Sequence, residues 1–165
     1  MKQLTLIRHA TATAYHDADS DLGRHLTAAG QAEARELGKH LAKRSLRPSH
    51  WHVSPASRTQ ETAQAIALAL REEPSPDWLE PRIYLAESAT LLALIQELPD
   101  LCTHALIVGH NPGITDLARH LLARVTAPTL EPATCMTLIT NQATWATVGS
   151  GDFTLTERWK PARAD

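Results

Sequence analysis

Three short apolar runs constrain this chain more than any other feature. Each is stopped by a charged or polar turn and followed by a stretch of helical periodicity. Leu4-Thr5-Leu6-Ile7 ends at Arg8-His9, Trp51-His52-Val53 ends at Ser54-Pro55, and Ala105-Leu106-Ile107-Val108 ends at Gly109-His110. Such runs read as strands buried on both faces of a sheet. Between the first two, Thr27 is the expected N-cap of a helix reaching to about residue 44, with Ala34, Leu37 and Leu41 on one face. Ser57 is the expected cap of the next helix, whose inward stripe is Ala63, Ile66, Ala67 and Leu70. Further helices are expected over 90–98 and 114–122, and a brief strand over 83–85. Late strands are expected over 136–139, 144–148 and 153–158, hairpin-joined through Gly149-Ser150-Gly151. The β-α-β-α-β order predicts a three-layer α/β/α sandwich around a mostly parallel central sheet.

Composition narrows the partners. The chain has 165 residues, the length of one globular domain, and no linker or internal repeat divides 1–165. A chain of this size can bury roughly 68–70% of its unfolded surface without staples. Sixteen Lys and Arg against eighteen Asp and Glu leave a net charge of −2, so neither nucleic acid nor an anionic membrane is an expected partner. Cys102 and Cys135 are too few for a disulfide framework and fit a reducing, cytoplasmic setting. The apolar run near the N-terminus is too short for a signal peptide, and no run reaches the roughly 18 residues of a membrane span.

The chemistry sits where the strands end. In open α/β sheets ligands bind beyond the carboxyl ends of the strands, often where a helix begins. Arg8-His9, Ser54-Pro55-Ala56-Ser57-Arg58 and Gly109-His110-Asn111-Pro112 would therefore meet in one crevice. Arginine offers a planar fork matched to phosphate oxygens. A helix start adds free N–H groups. Imidazole can be a neutral nucleophile or a stabilising cation near pH 7. Arg58 at a helix start is unfavourable with the helix dipole, which an anion beside it would relieve. This set suits phosphoryl transfer and calls for no cofactor and no metal.

Leu6-Ile7-Arg8-His9-Ala10 resembles the first signature of the histidine phosphatase superfamily, also called phosphoglycerate-mutase-like. Val53-Ser54-Pro55-Ala56-Ser57-Arg58-Thr59-Gln60-Glu61-Thr62-Ala63 resembles its second motif, and Val108-Gly109-His110-Asn111-Pro112-Gly113 its third. Leu26-Thr27-Ala28-Ala29-Gly30-Gln31-Ala32 resembles the helix start between the first two. The short length, Ala10 and Gly-His-Asn-Pro point to the small SixA-type phosphohistidine phosphatase branch. The resemblance implies His9 as the nucleophile that becomes a phosphohistidine, Arg8 and Arg58 as clamps on the phosphoryl oxygens, and His110 as the second pocket histidine. A backbone carbonyl is expected to hold the other N–H of His9. Larger superfamily members use a mid-chain carboxylate to protonate an alcohol leaving group. Glu87 is the candidate here, although it equally suits a helix N-terminus.

The expected activity is a metal-independent phosphatase acting through a covalent phosphohistidine, with a phosphohistidine-bearing protein as substrate. The alternatives are a phosphomonoesterase for a small phosphorylated metabolite and a non-catalytic phosphate-recognition module. A mutase is disfavoured, because the chain lacks the extra length that encloses a sugar phosphate. His50 and His52 alternate along one strand but lack a third metal ligand at suitable spacing. Asp17, Asp19 and Asp21 lack the Gly and terminal Glu of a calcium loop. His16 and His25 could line the pocket rim. Trp145 and Trp159 are expected to pack, and residues 160–165 to fray.

Overall fold

The computed structural model describes residues 1–162. The chain builds a five-stranded sheet in the order β2-β3-β1-β4-β5. The strands are β1 (Lys2–Arg8), β2 (His50–Val53), β3 (His104–Gly109), β4 (Cys135–Thr140) and β5 (Thr154–Trp159). β3 lies between β2 and β1 and pairs parallel with both. β4 runs antiparallel to β1 and to β5. Four strands therefore share a direction and β4 opposes them, so the sheet is mostly but not wholly parallel.

The helices are α1 (Ala28–Lys43), α2 (Ser57–Leu70), α3 (Ser88–Gln96) and α4 (Gly113–Leu121). Successive side chains of a strand point to opposite faces, and here both faces are covered. Ala105 and Ile107 of β3, with Leu4 and Leu6 of β1, pack under Leu91, Leu94 and Ile95 of α3 and Ile114, Leu117 and Leu121 of α4. Leu106 and Val108 of β3, with Ile7 of β1, pack under Ala34, Leu37 and Leu41 of α1 and Ala63, Ile66 and Leu70 of α2. These two apolar clusters make the three layers. Thr27 caps α1 as its sequence predicts, its hydroxyl accepting from Gly30 N at 3.0 Å.

Several local expectations fail. Ala56, not Ser57, is the N-cap residue of α2, and it supplies no side-chain cap. The strand expected over 83–85 is replaced by a 3-10 turn at Pro81–Ile83. Proline at its start has no N–H to give a ladder and fixes φ for a turn. Leu79 instead bridges to Val53 at the end of β2. The strand expected over 144–148 is also a 3-10 turn, Trp145–Thr147. Trp145 is fully buried and donates its indole N–H to Cys102 O at 2.8 Å, so the chain folds inward rather than extending. Gly149-Ser150-Gly151 consequently joins that turn, not a strand, to β5. Trp159 stacks on His40 with ring centroids 4.2 Å apart. Within the tail, Pro161 is buried and Lys160 pairs with Glu131, so these two residues are held against the fold; 163–165 lie outside the described residues. Among the described residues, no helix is long and apolar enough to cross a membrane.

Candidate active site

The register of the sheet places the site. Arg8 at the end of β1 lies opposite Gly109 at the end of β3, so His9 and His110 emerge side by side. Their ring centroids are 5.3 Å apart, tilted by 59°. Val53 lies opposite Val108, which delivers Ser54 beneath His110. Arg58 then enters from the first turn of α2. All four residues expected from sequence thus converge at one end of the sheet. His9 is 9% exposed, His110 4% and Arg58 2%.

The hydrogen bonds fix the imidazole tautomers. A carbonyl only accepts and a guanidinium only donates. His9 Nδ1 lies 2.7 Å from the Ala10 carbonyl, so Nδ1 carries the proton. Arg58 Nε donates to His9 Nε2 at 3.3 Å, so Nε2 presents a lone pair. In His110 the pattern is reversed. Arg58 Nη2 donates to Nδ1 at 3.3 Å, and Nε2–H donates to Ser54 Oγ at 2.7 Å. Burial holds both rings neutral. It pushes His9 down to about 4, against the opposing pull of the Ala10 carbonyl and with help from Arg58 and Arg8. Burial likewise pushes His110 down to about 3, with His9 and Arg58 adding to it.

Arg8 is held from the other side. Its Nη1 donates to the Leu130 carbonyl at 3.0 Å, and the same oxygen accepts from Asn111 Nδ2 at 2.7 Å. Its Nε is buried and has no hydrogen-bond partner among the described residues. An unpartnered buried cationic donor is costly unless something anionic completes it. The backbone is pinned as firmly. The Thr62 hydroxyl donates to Arg58 O at 2.7 Å and accepts from Ala10 N at 3.1 Å, which ties the turn after β1 to α2. Glu33 of α1 accepts from Thr11 N and Oγ1 at 2.9 and 3.0 Å.

Sequence reading missed Asp21. Its carboxylate accepts from Arg58 Nη2 at 3.1 Å, from Arg24 Nη1 at 3.0 Å and from the Tyr84 hydroxyl. The hydrogen bond from Tyr84, then those from the two arginines, hold it far below the usual carboxylate range. Tyr84 also meets His110 edge-on at 5.6 Å, and its hydroxyl pKa is raised by Asp21. The signal was present: Arg58 at a helix start asked for an anion, and in this pocket Asp21 supplies it. Glu87 is the exposed N-cap residue of α3, with no side-chain cap bond. His25 lies at the surface and pairs with Glu61.

The arrangement is an α/β sheet whose strand ends carry an arginine-histidine pocket, with cations and N–H donors of the kind that suit an oxyanion. The histidine phosphatase superfamily (branch 1) matches residues 4–127, and the chain belongs to that superfamily. Solved structures share the fold. A SixA protein from Agrobacterium tumefaciens is 24% identical, with a TM-score of 0.81 over 97% of this chain and 99% of that one. The protein histidine phosphatase SixA, solved with tungstate, is 22% identical, with a TM-score of 0.80 over 96% of both chains. A mycobacterial glucosyl-3-phosphoglycerate phosphatase is 14% identical, with a TM-score of 0.69 over 97% of this chain and 99% of that one. No curated protein matched the sequence.

Proposed function

We propose that this chain is a phosphatase that passes the phosphoryl group through His9, and that its substrate is phosphohistidine carried by a protein. The tautomer of His9 carries the reading. With Nδ1–H held by Ala10 O, the Nε2 lone pair is free to attack phosphorus once a phosphoryl group displaces Arg58 Nε from it. A P–Nε2 bond forms as the bond to the leaving nitrogen breaks. Water then attacks phosphorus, and His9 leaves with its lone pair restored. Arg58 and the unpartnered Nε of Arg8 neutralise the equatorial oxygens, the main requirement of a loose phosphoryl transition state. Neutral His110 spends its one N–H on Ser54, so its part is to hold Arg58 in place through Nδ1. In this reading the two arginines supply the charge, and turnover is metal-independent.

The proton donors at hand support this substrate class. An alkoxide leaving group needs a protonated acid close by. Asp21 is held ionised, Tyr84 already donates to Asp21, and Glu87 is exposed at the start of α3. A phosphoramidate nitrogen leaves more readily and takes its proton from solvent. Phosphohistidine is also the substrate class in the name given to the Agrobacterium tumefaciens relative, and the tungstate-bound relative is named a protein histidine phosphatase. Two free, buried thiols, Cys102 and Cys135, support a cytoplasmic setting.

The test compares kcat/KM for a phosphohistidine-bearing protein and for an aryl phosphate, with EDTA present. Preference for phosphohistidine, lost in His9→Ala, is the expected result. Equal or better turnover of the ester moves the reading to a small-metabolite phosphatase, the activity named for the mycobacterial relative. Turnover of neither, with no acid-labile phosphate on His9 in single-turnover labelling, leaves a phosphate-recognition module.

A further inference from the structure

We propose that Asp21 is the positioning residue for Arg58: it holds the guanidinium between the two histidines and limits how tightly the pocket keeps phosphate. The inference rests on the phosphoryl-binding role given to Arg58 above.

Arg58 is a buried cation at the positive end of a helix, where a cation is disfavoured. Every nitrogen of its fork is nevertheless engaged. Nε reaches His9, and Nη1 donates to the Asp21 carbonyl at 2.6 Å. Nη2 is shared between the Asp21 carboxylate at 3.1 Å and His110 Nδ1 at 3.3 Å. Asp21 therefore grips the outer edge of the fork with both main chain and side chain, leaving the inner edge against the histidines.

The grip is itself held. Ser57 N donates to Leu22 O at 2.9 Å, which fastens the loop after Asp21 to the start of α2. Tyr84 and Arg24 occupy the remaining faces of the carboxylate, and Arg24 Nε is tied to Thr13 O at 2.7 Å. A carboxylate fixed from three sides cannot swing away when substrate arrives. It stays one guanidinium away from the incoming dianion and opposes it electrostatically. Asp21 is thus placed to orient Arg58 for the transition state and to ease release of the phosphate product.

The experiment measures kcat, KM and the Kd of inorganic phosphate for Asp21→Asn. This variant keeps the main-chain carbonyl and the side-chain volume but removes the charge. Phosphate should bind about tenfold tighter. KM should fall, and kcat should fall about 10- to 100-fold as Arg58 loses its orientation and product lingers. Partial misfolding lowers kcat alone and moves neither KM nor Kd. Tyr84→Phe loosens Asp21 and keeps its charge, so kcat should fall less while phosphate affinity stays within about twofold. Asp19→Asn makes the same charge change at an exposed position of the same loop and should leave all three constants unchanged. Wild-type constants in Asp21→Asn, or a KM that rises, overturn the proposal and leave the phosphatase reading standing. Failure of the wild-type protein to bind phosphate overturns both.

Discussion

Two neutral histidines packed against two cations make a site whose protons are set by burial. The rings lie near 4 and 3, below the ordinary value near 6.5 that they regain on unfolding. Between those values the unfolded chain binds more protons than the folded one. Stability from these residues is therefore complete above about pH 6.5 and is lost as the pH falls through the window. Each unit of separation is worth about 1.4 kcal/mol. Ring-carbon shifts in NMR should stay constant for His9 and His110 from pH 8 to about pH 5.5, and a midpoint near 6.5 in either would refute this. At this scale the sequence was most legible for Arg8, His9, Arg58 and His110. Each stands at the end of a strand, directly after one, or in the first turn of a helix, where topology alone brings them together. The need of Arg58 for an anion was legible, but that Asp21 supplies it was not, for the opposite reason. It lies in a loop without periodicity, and it meets Arg58 and Tyr84 across separations of 37 and 63 residues.

At the scale of elements, close backbone approach matters as much as apolar periodicity. Gly113 starts α4, and a Cβ there would stand 1.9 Å from the Ala86 carbonyl. The contact seats the segment after Tyr84 against the turn that carries His110. Gly113→Ala should cost at least about 2 kcal/mol in urea unfolding and reduce turnover, because neither backbone has a flexible end to yield. Unchanged stability would mean that the two segments separate freely. The same distinction explains the elements misread from sequence. Helices with a repeating apolar face were legible at 3.6-residue spacing. Short segments such as 83–85 and 144–148 carry apolar residues without enough length for a period. Their shape is decided by Pro81 and by the burial of Trp145 instead.

Across the whole molecule, the sheet separates two apolar clusters that have no member in common among the described residues. Leu94 lies in the cluster under α3 and α4, and Leu37 in the one under α1 and α2, each at most 1% exposed. Leu94→Ala and Leu37→Ala should each cost about 2–5 kcal/mol. In the double variant the losses should sum to within about 0.5 kcal/mol in chemical denaturation. A larger departure would show that the layers communicate through the strands. The antiparallel β4 was the part of this architecture least legible in advance, since apolar spacing does not encode strand direction. The groups proposed to handle phosphorus are aimed largely by carbonyl oxygens: Ala10 for His9, Asp21 for Arg58, Leu130 for Arg8. Carbonyls belong to every residue type. The path of a loop, more than its composition, therefore sets the aim. Replacing exposed Val125 by another residue should be silent, whereas deleting one residue between 123 and 129 should draw the Leu130 oxygen away from Arg8. Evolution of such a site is freer in the letters of that loop than in their number.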